Sequence, residues 1–122
     1  MTKDKKYDLE ERLIDFAVDI VKLVENMPNK KSAVHLGGQL LRSGTSPSLN
    51  YGEAKSAESK NDFLHKMKIC LKELRESLNC IKINYRANLF KPDSGIVELQ
   101  EECNELISIF VKSILTATNN KN

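Results

Sequence analysis

Apolar residues recur along this chain at steps of three and four, in four blocks separated by short polar breaks. In the first block they fall at Leu9, Leu13, Phe16, Ala17, Ile20, Val21, Leu23, Val24 and Met27, while Glu10, Glu11, Asp15, Asp19 and Lys22 lie off the stripe. That period puts side chains on one face of an α-helix, so a helix is expected over residues 9–27. Asp8 suits its N-cap and Pro28 its end. The second block has Val34, Leu36, Leu40, Leu41, Leu49, Tyr51, Ala54 and Ala57, interrupted by Arg42-Ser43-Gly44-Thr45-Ser46-Pro47-Ser48. Gly44 and Pro47 allow two short helices, or one helix bent where Pro47 lacks its N–H and crowds the carbonyl four residues back. Two stubs would leave the remaining helices half covered. One bent helix over residues 30–57 is therefore expected.

Ser59-Lys60-Asn61-Asp62 is a capping box that opens a third helix. Phe63, Met67, Cys70, Leu74, Leu78, Ile81 and Tyr85 then alternate steps of three and four, the seam pattern of helices crossing at about 20°. The stripe runs out near Phe90, where Lys91-Pro92-Asp93-Ser94-Gly95 makes a turn. The last block has Ile96, Leu99, Cys103, Leu106, Phe110 and Ala117, assisted by Ile107, Val111 and Ile114. Thr116, Thr118 and the polar residues after them read as a frayed end, with residues 119–122 a disordered tail. Four helices joined by short turns predict an all-α fold, an antiparallel up-and-down four-helix bundle bent near Gly44 and Pro47, in a single domain over residues 1–118.

Composition agrees. Aromatics are 6% of the chain with no Trp, and Gly and Pro number 5 and 3, against the β-branched, aromatic and turn-rich composition of sheets. Cys70, Cys80 and Cys103 contain no Cys-x-x-Cys pair and fall among apolar positions, which predicts buried, reduced thiols. The first residues are polar and lack the apolar stretch of a signal peptide, and no apolar run nears the roughly 20 residues of a membrane span. A cytoplasmic protein with no membrane contact is expected.

A net charge of +2 hides an uneven distribution. Residues 60–91 carry eight basic side chains against three acidic, and residues 93–122 carry five acids against two lysines. The simplest account is that the third and fourth helices are antiparallel neighbours whose flanks attract. A contact between subunits of complementary charge is the second, because such patterning sets orientation and partner choice. The third is a nucleic-acid surface: Lys68, Lys72, Arg75, Lys82 and Arg86 follow one three/four progression, with Lys66 nearby, and phosphates call for cations converging on one face. The row itself carries no aromatic platform for single strands.

Arg42, Ser46, Asn50 and Glu53 form a polar line along the second helix, with Ser43 beside it, and Glu73 and Glu76 are one turn apart on the third. Facing water, the line is an ordinary wet surface. Facing a helix, its acids must pair with Arg42 or with lysines, because an unpaired buried charge is costly. A dimetal bundle wants Glu-x-x-His pairs, and neither His35 nor His65 completes one. Glu98-x-x-Glu101 and Glu102-x-x-Glu105 have the spacing without the histidine. No metal site, catalytic residue or cofactor is expected. Leu36-Gly37-Gly38-Gln39 lacks the strand and the Gly-Lys-Ser/Thr ending of a phosphate loop, and its glycines read as points of close helix approach.

Phe16-Ala17, Gln39-Leu40-x-Arg42-Ser43-x-x-Ser46-x-x-x-Asn50-x-x-Glu53-Ala54, Ser59-x-x-Asp62-Phe63-x-x-Lys66 and Lys72-Glu73-x-x-Glu76 together resemble the bacterial four-helix-bundle proteins encoded in intervening sequences of large-subunit ribosomal RNA genes. The resemblance covers nearly the whole chain. Pro47 stands where that family usually has an aliphatic residue, and Asn79-Cys80 where it often has an aromatic pair. The resemblance implies a non-enzymatic bundle that closes into a ring, a homopentamer, with Arg42, Ser43, Ser46, Asn50, Glu53, Phe63, Lys66, Lys72, Glu73 and Glu76 serving structure and assembly. Similar bundles include the accessory protein of diversity-generating retroelements, which works with a reverse transcriptase and nucleic acid. By that likeness the basic third helix would face RNA or a nucleic-acid-processing partner. The expected role is thus a scaffold or interaction protein, with RNA binding as the alternative.

Overall fold

The computed structural model describes residues 8–120. Asp8 starts the first helix by accepting the Glu11 N–H on Oδ1 at 3.0 Å, and α1 spans Leu9–Glu25. Asn26 closes it, its side-chain amide donating to the Lys22 carbonyl at 2.8 Å, two residues before Pro28. The second helix, α2, spans Lys31–Lys55 and runs unbroken through Pro47, so the bent single helix is what forms. Pro47 deprives the Ser43 carbonyl of its donor one turn on, while its own carbonyl accepts the Cys70 thiol at 3.4 Å.

Gly44 serves the α1–α2 crossing. A Cβ added there would lie 2.7 Å from Ile20 Cγ1 and 2.8 Å from its Cγ2, so α1 packs directly on the α2 backbone. Gly37 plays a milder version of this part against Met27 and Val24, whereas Gly38 faces open space. The expectation that both glycines of the Gly37-Gly38 pair admit a neighbour is therefore corrected for Gly38.

The third helix, α3, spans Lys60–Arg86, with Ser59 Oγ accepting the Asp62 N–H at 3.0 Å. It ends before the expected stop near Phe90. Asn88 turns left-handed at φ 58°, its N–H meets the Tyr85 carbonyl at 3.1 Å, and the Leu89 N–H meets the Asn84 carbonyl at 2.9 Å. This is the Schellman closure, in which Asn tolerates the conformation other side chains resist. It folds Leu89 back into the core, so an apolar residue that extends the stripe in sequence belongs to the turn. The fourth helix, α4, spans Ile96–Asn119 and outruns the frayed end and tail expected from Thr116 onward. Thr118 Oγ1 donates to the Ile114 carbonyl at 2.7 Å, and Lys60 on α3 holds the Asn120 carbonyl. The tail's last two residues, 121 and 122, lie outside the described residues.

Each helix packs antiparallel on its chain neighbour, and α1 meets α4 to close the bundle, the sparsest of the four seams. Phe16, Leu40, Leu74 and Leu106, one from each helix, sit in a single core at 1% exposure or less. Tyr51 and Phe110 meet edge to face with centroids 5.9 Å apart, a geometry the ring quadrupoles favour.

Candidate functional site

The polar line of α2 faces α3. Arg42 donates from Nη1 to Glu73 at 2.8 Å and from Nη2 to Glu76, spanning two acids one turn apart. Both carboxylates raise the guanidinium pKa, Glu76 first. Beneath them the buried Ser77 and Ser43 hydroxyls lie 2.9 Å apart, and Ser77 also reaches the Glu73 carbonyl at 2.9 Å. Asn50 donates to the Ser46 hydroxyl at 2.9 Å, and Glu53 receives Lys66 at 2.7 Å. Of the seven residues expected in a polar network, Arg42, Ser43, Glu53, Glu73 and Glu76 make bonds between α2 and α3, while Ser46 and Asn50 bond to each other within α2. Ser77, its buried centre, is invisible in the sequence, because a serine between Glu76 and Leu78 carries no signal of its own.

A second ionic clasp lies across the bundle. Arg12, only 6% exposed, donates from Nε and Nη2 to both carboxylate oxygens of Glu102, at 3.0 and 2.7 Å, and from Nη2 to Glu105 at 2.9 Å. It joins α1 to α4, the helix pair in sparsest contact. Beside it opens a cleft of about 640 Å³ lined by Asp15, Asp19, Lys22, Glu98 and Glu102 over Phe16 and Leu99. Burial pushes the Asp19 carboxyl above its ordinary pKa. The hint in sequence is Arg12 itself, a cation on the edge of the α1 stripe.

The charge asymmetry resolves differently from its simplest account. The α4 acids Glu102 and Glu105 turn towards α1, and the α3 acids Glu73 and Glu76 turn towards Arg42 of α2. The attraction expected between the flanks of α3 and α4 is therefore not what these acids provide. Lys68, Lys72, Arg75, Lys82 and Arg86 are all exposed, and none of their side chains makes a hydrogen bond or ion pair with another described residue. Their helical angles put them on one face, turned away from the core and from α2. From Lys68 to Arg86 the row is about 27 Å long at 1.5 Å per residue. Lys66, named with them in sequence, is not part of it, since it is tied to Glu53 on the α2 side.

A fourth surface is apolar. Ile14, Val18 and Val21 on α1 and Val34, Leu41 and Leu49 on α2 are each 36–68% exposed. The Ile20–Gly44 crossing and the Lys55–Glu10 ion pair at 3.0 Å set the helix register. In that register Val21 comes level with Leu41 and Ile14 with Leu49, on the outer flank of the same helix pair. Val34, Leu41 and Leu49, expected in the core from the α2 stripe, are exposed because the core face of α2 carries Ala33, Leu40, Gly44, Pro47 and Ala54 instead.

The three cysteines are buried and free. Burial pushes the Cys70 and Cys103 thiols up to about 12, so they stay protonated at neutral pH. Among the described residues no group of three or more His, Cys, Asp or Glu side chains is placed to hold a metal ion. No helix among them is long and apolar enough to cross a membrane.

A family model described as 23S rRNA-intervening sequence protein matches residues 5–112. Among solved structures, the chain is similar to a protein of unknown function from the S23 ribosomal protein family of Bacteroides thetaiotaomicron VPI-5482. The two share 28% identity and superpose with a TM-score of 0.79, over 87% of this chain and 97% of the other. No curated protein matches significantly.

Proposed function

The chain belongs to the 23S rRNA-intervening sequence protein family, and on that premise we propose that it is a non-catalytic scaffold whose copies assemble through the apolar face of α1 and α2, as a ring of five. The observation that carries this reading is the patch formed by Ile14, Val18, Val21, Leu41 and their neighbours. Among the described residues, six of the ten exposed large hydrophobic side chains lie on α1 and α2, and apolar surface left uncovered on one helix pair marks an interaction site. Cyclic closure needs a contact between two different surfaces of each copy, and an apolar face on one side of the bundle can serve as one of them. The work of Arg42, Ser43 and Glu73 is then internal: they hold α2 to α3 and keep the face rigid. Sedimentation velocity tests it with Val18→Glu and Leu41→Glu combined. The expected result is a folded helical monomer where the unaltered chain sediments as an oligomer; unchanged sedimentation of the double variant contradicts the assignment of the face.

A second reading, RNA binding, is favoured by the α3 row of five unpaired cations, which lies on a helix that contributes nothing to the apolar face. Five phosphate contacts on a single strand give a slope of about −3.5 in log affinity against log salt. Titration of labelled RNA at two salt concentrations measures it, and flat dependence removes the reading.

A further inference from the structure

The cation row of α3 runs down to a cleft of about 670 Å³ at the α3–α4 turn, whose lining includes Tyr85, Phe90, Lys91, Asp93, Val97 and Glu98. We infer that this cleft is a nucleobase pocket, taking an unpaired base of a single-stranded nucleic acid whose backbone lies along the row. The inference rests on the RNA-binding reading and adds a ligand class and a site to it.

Tyr85 carries the argument. It continues the apolar seam of α3 in sequence, yet it is 57% exposed, and its side chain makes no ring contact or hydrogen bond with another described residue. The reason lies in the end of the helix: α3 stops at Arg86, and the chain turns at Asn88 before α4 can cover the ring. Phe90, half-buried, and Val97, exposed, complete an apolar wall around the space Tyr85 leaves open. An aromatic face beside cations is how proteins hold single strands, because every base offers a π-face for stacking. Here Lys82 precedes Tyr85 by one helical turn on the neighbouring surface, Arg86 follows it, and Lys91 enters the cleft from the turn. Asp93 and Glu98 are acceptors for base amino and imino groups, and they repel phosphate from the cleft itself. The sugar–phosphate chain is thereby directed to the row and the base to the pocket. The row alone lacks an aromatic platform; Tyr85, on the last turn of α3, supplies it.

Fluorescence anisotropy with labelled single-stranded RNA, single-stranded DNA and duplex RNA of equal length, at low salt, tests the inference. Tyr85→Ala is expected to weaken binding of the single strands about tenfold and to leave the duplex unchanged, since a base in a helix cannot enter the cleft. Tyr85→Phe keeps the ring and is expected to bind as the unaltered chain does. Comparing the RNA and DNA strands shows which source of unpaired bases the pocket prefers. Unchanged single-strand binding by Tyr85→Ala overturns the pocket while leaving the cation row standing. An unaltered chain that binds none of the three overturns both.

Discussion

At the scale of single residues, the most constrained contact is the one with no side chain on one side of it. Gly44 lets Ile20 rest on the α2 backbone, and the space a methyl group needs is already filled by Ile20 at 2.7 Å. Gly44→Ala is expected to cost about 1–3 kcal/mol by overpacking. Gly38→Ala, with open space around it, is expected to stabilise by up to about 1 kcal/mol through helix propensity alone. Urea unfolding of the two variants measures the contrast, and equal effects would contradict the crossing. Sequence could not separate them, because a glycine at a helix crossing and one facing water look alike until the neighbouring helix is placed. Arg12 and Ser77 escape sequence reasoning for a related reason. Each takes its meaning from partners on another element, Glu102 some 90 positions away and Ser43 some 34.

Among the elements, the helix starts are legible and the ends less so. Asp8 and Ser59 both cap as their spacing predicts, since a cap is a local bond between a side chain and an N–H three residues on. The end of α3 falls short of its expected place because Leu89 and Phe90 prolong the apolar pattern while Asn88 breaks the backbone. Asn88 at φ 58° is therefore the residue that decides where α3 stops. Asn88→Gly is expected to be neutral or slightly stabilising, and Asn88→Ala to cost about 1 kcal/mol, a difference thermal or denaturant melting resolves. Equal stability of the two would mean the left-handed turn does not set the end. The bend of α2 is legible from the need to cover α3 and α4 along their length. The exposure of its Val34, Leu41 and Leu49 is not, because small residues at Ala33, Gly44 and Ala54 take the core face.

For the whole molecule, the fold follows from four apolar stripes that hide only against one another, and the polar seams choose their arrangement: Arg42 with Glu73 and Glu76 joins α2 to α3, and Arg12 with Glu102 and Glu105 joins α1 to α4. These pairs absorb the acids of α3 and α4 nearest the seams and leave the five cations of the α3 row facing outward. They also leave one flank greasy. The row is legible as a spacing, whereas its aromatic end and the apolar flank require the packing of three helices to be known. Light scattering of the unaltered chain at micromolar concentration tests the assembly claim most directly. The expected mass is near five times the 13.8 kDa of one chain, independent of dilution over a tenfold range. A particle with the mass of a single chain under those conditions would contradict it.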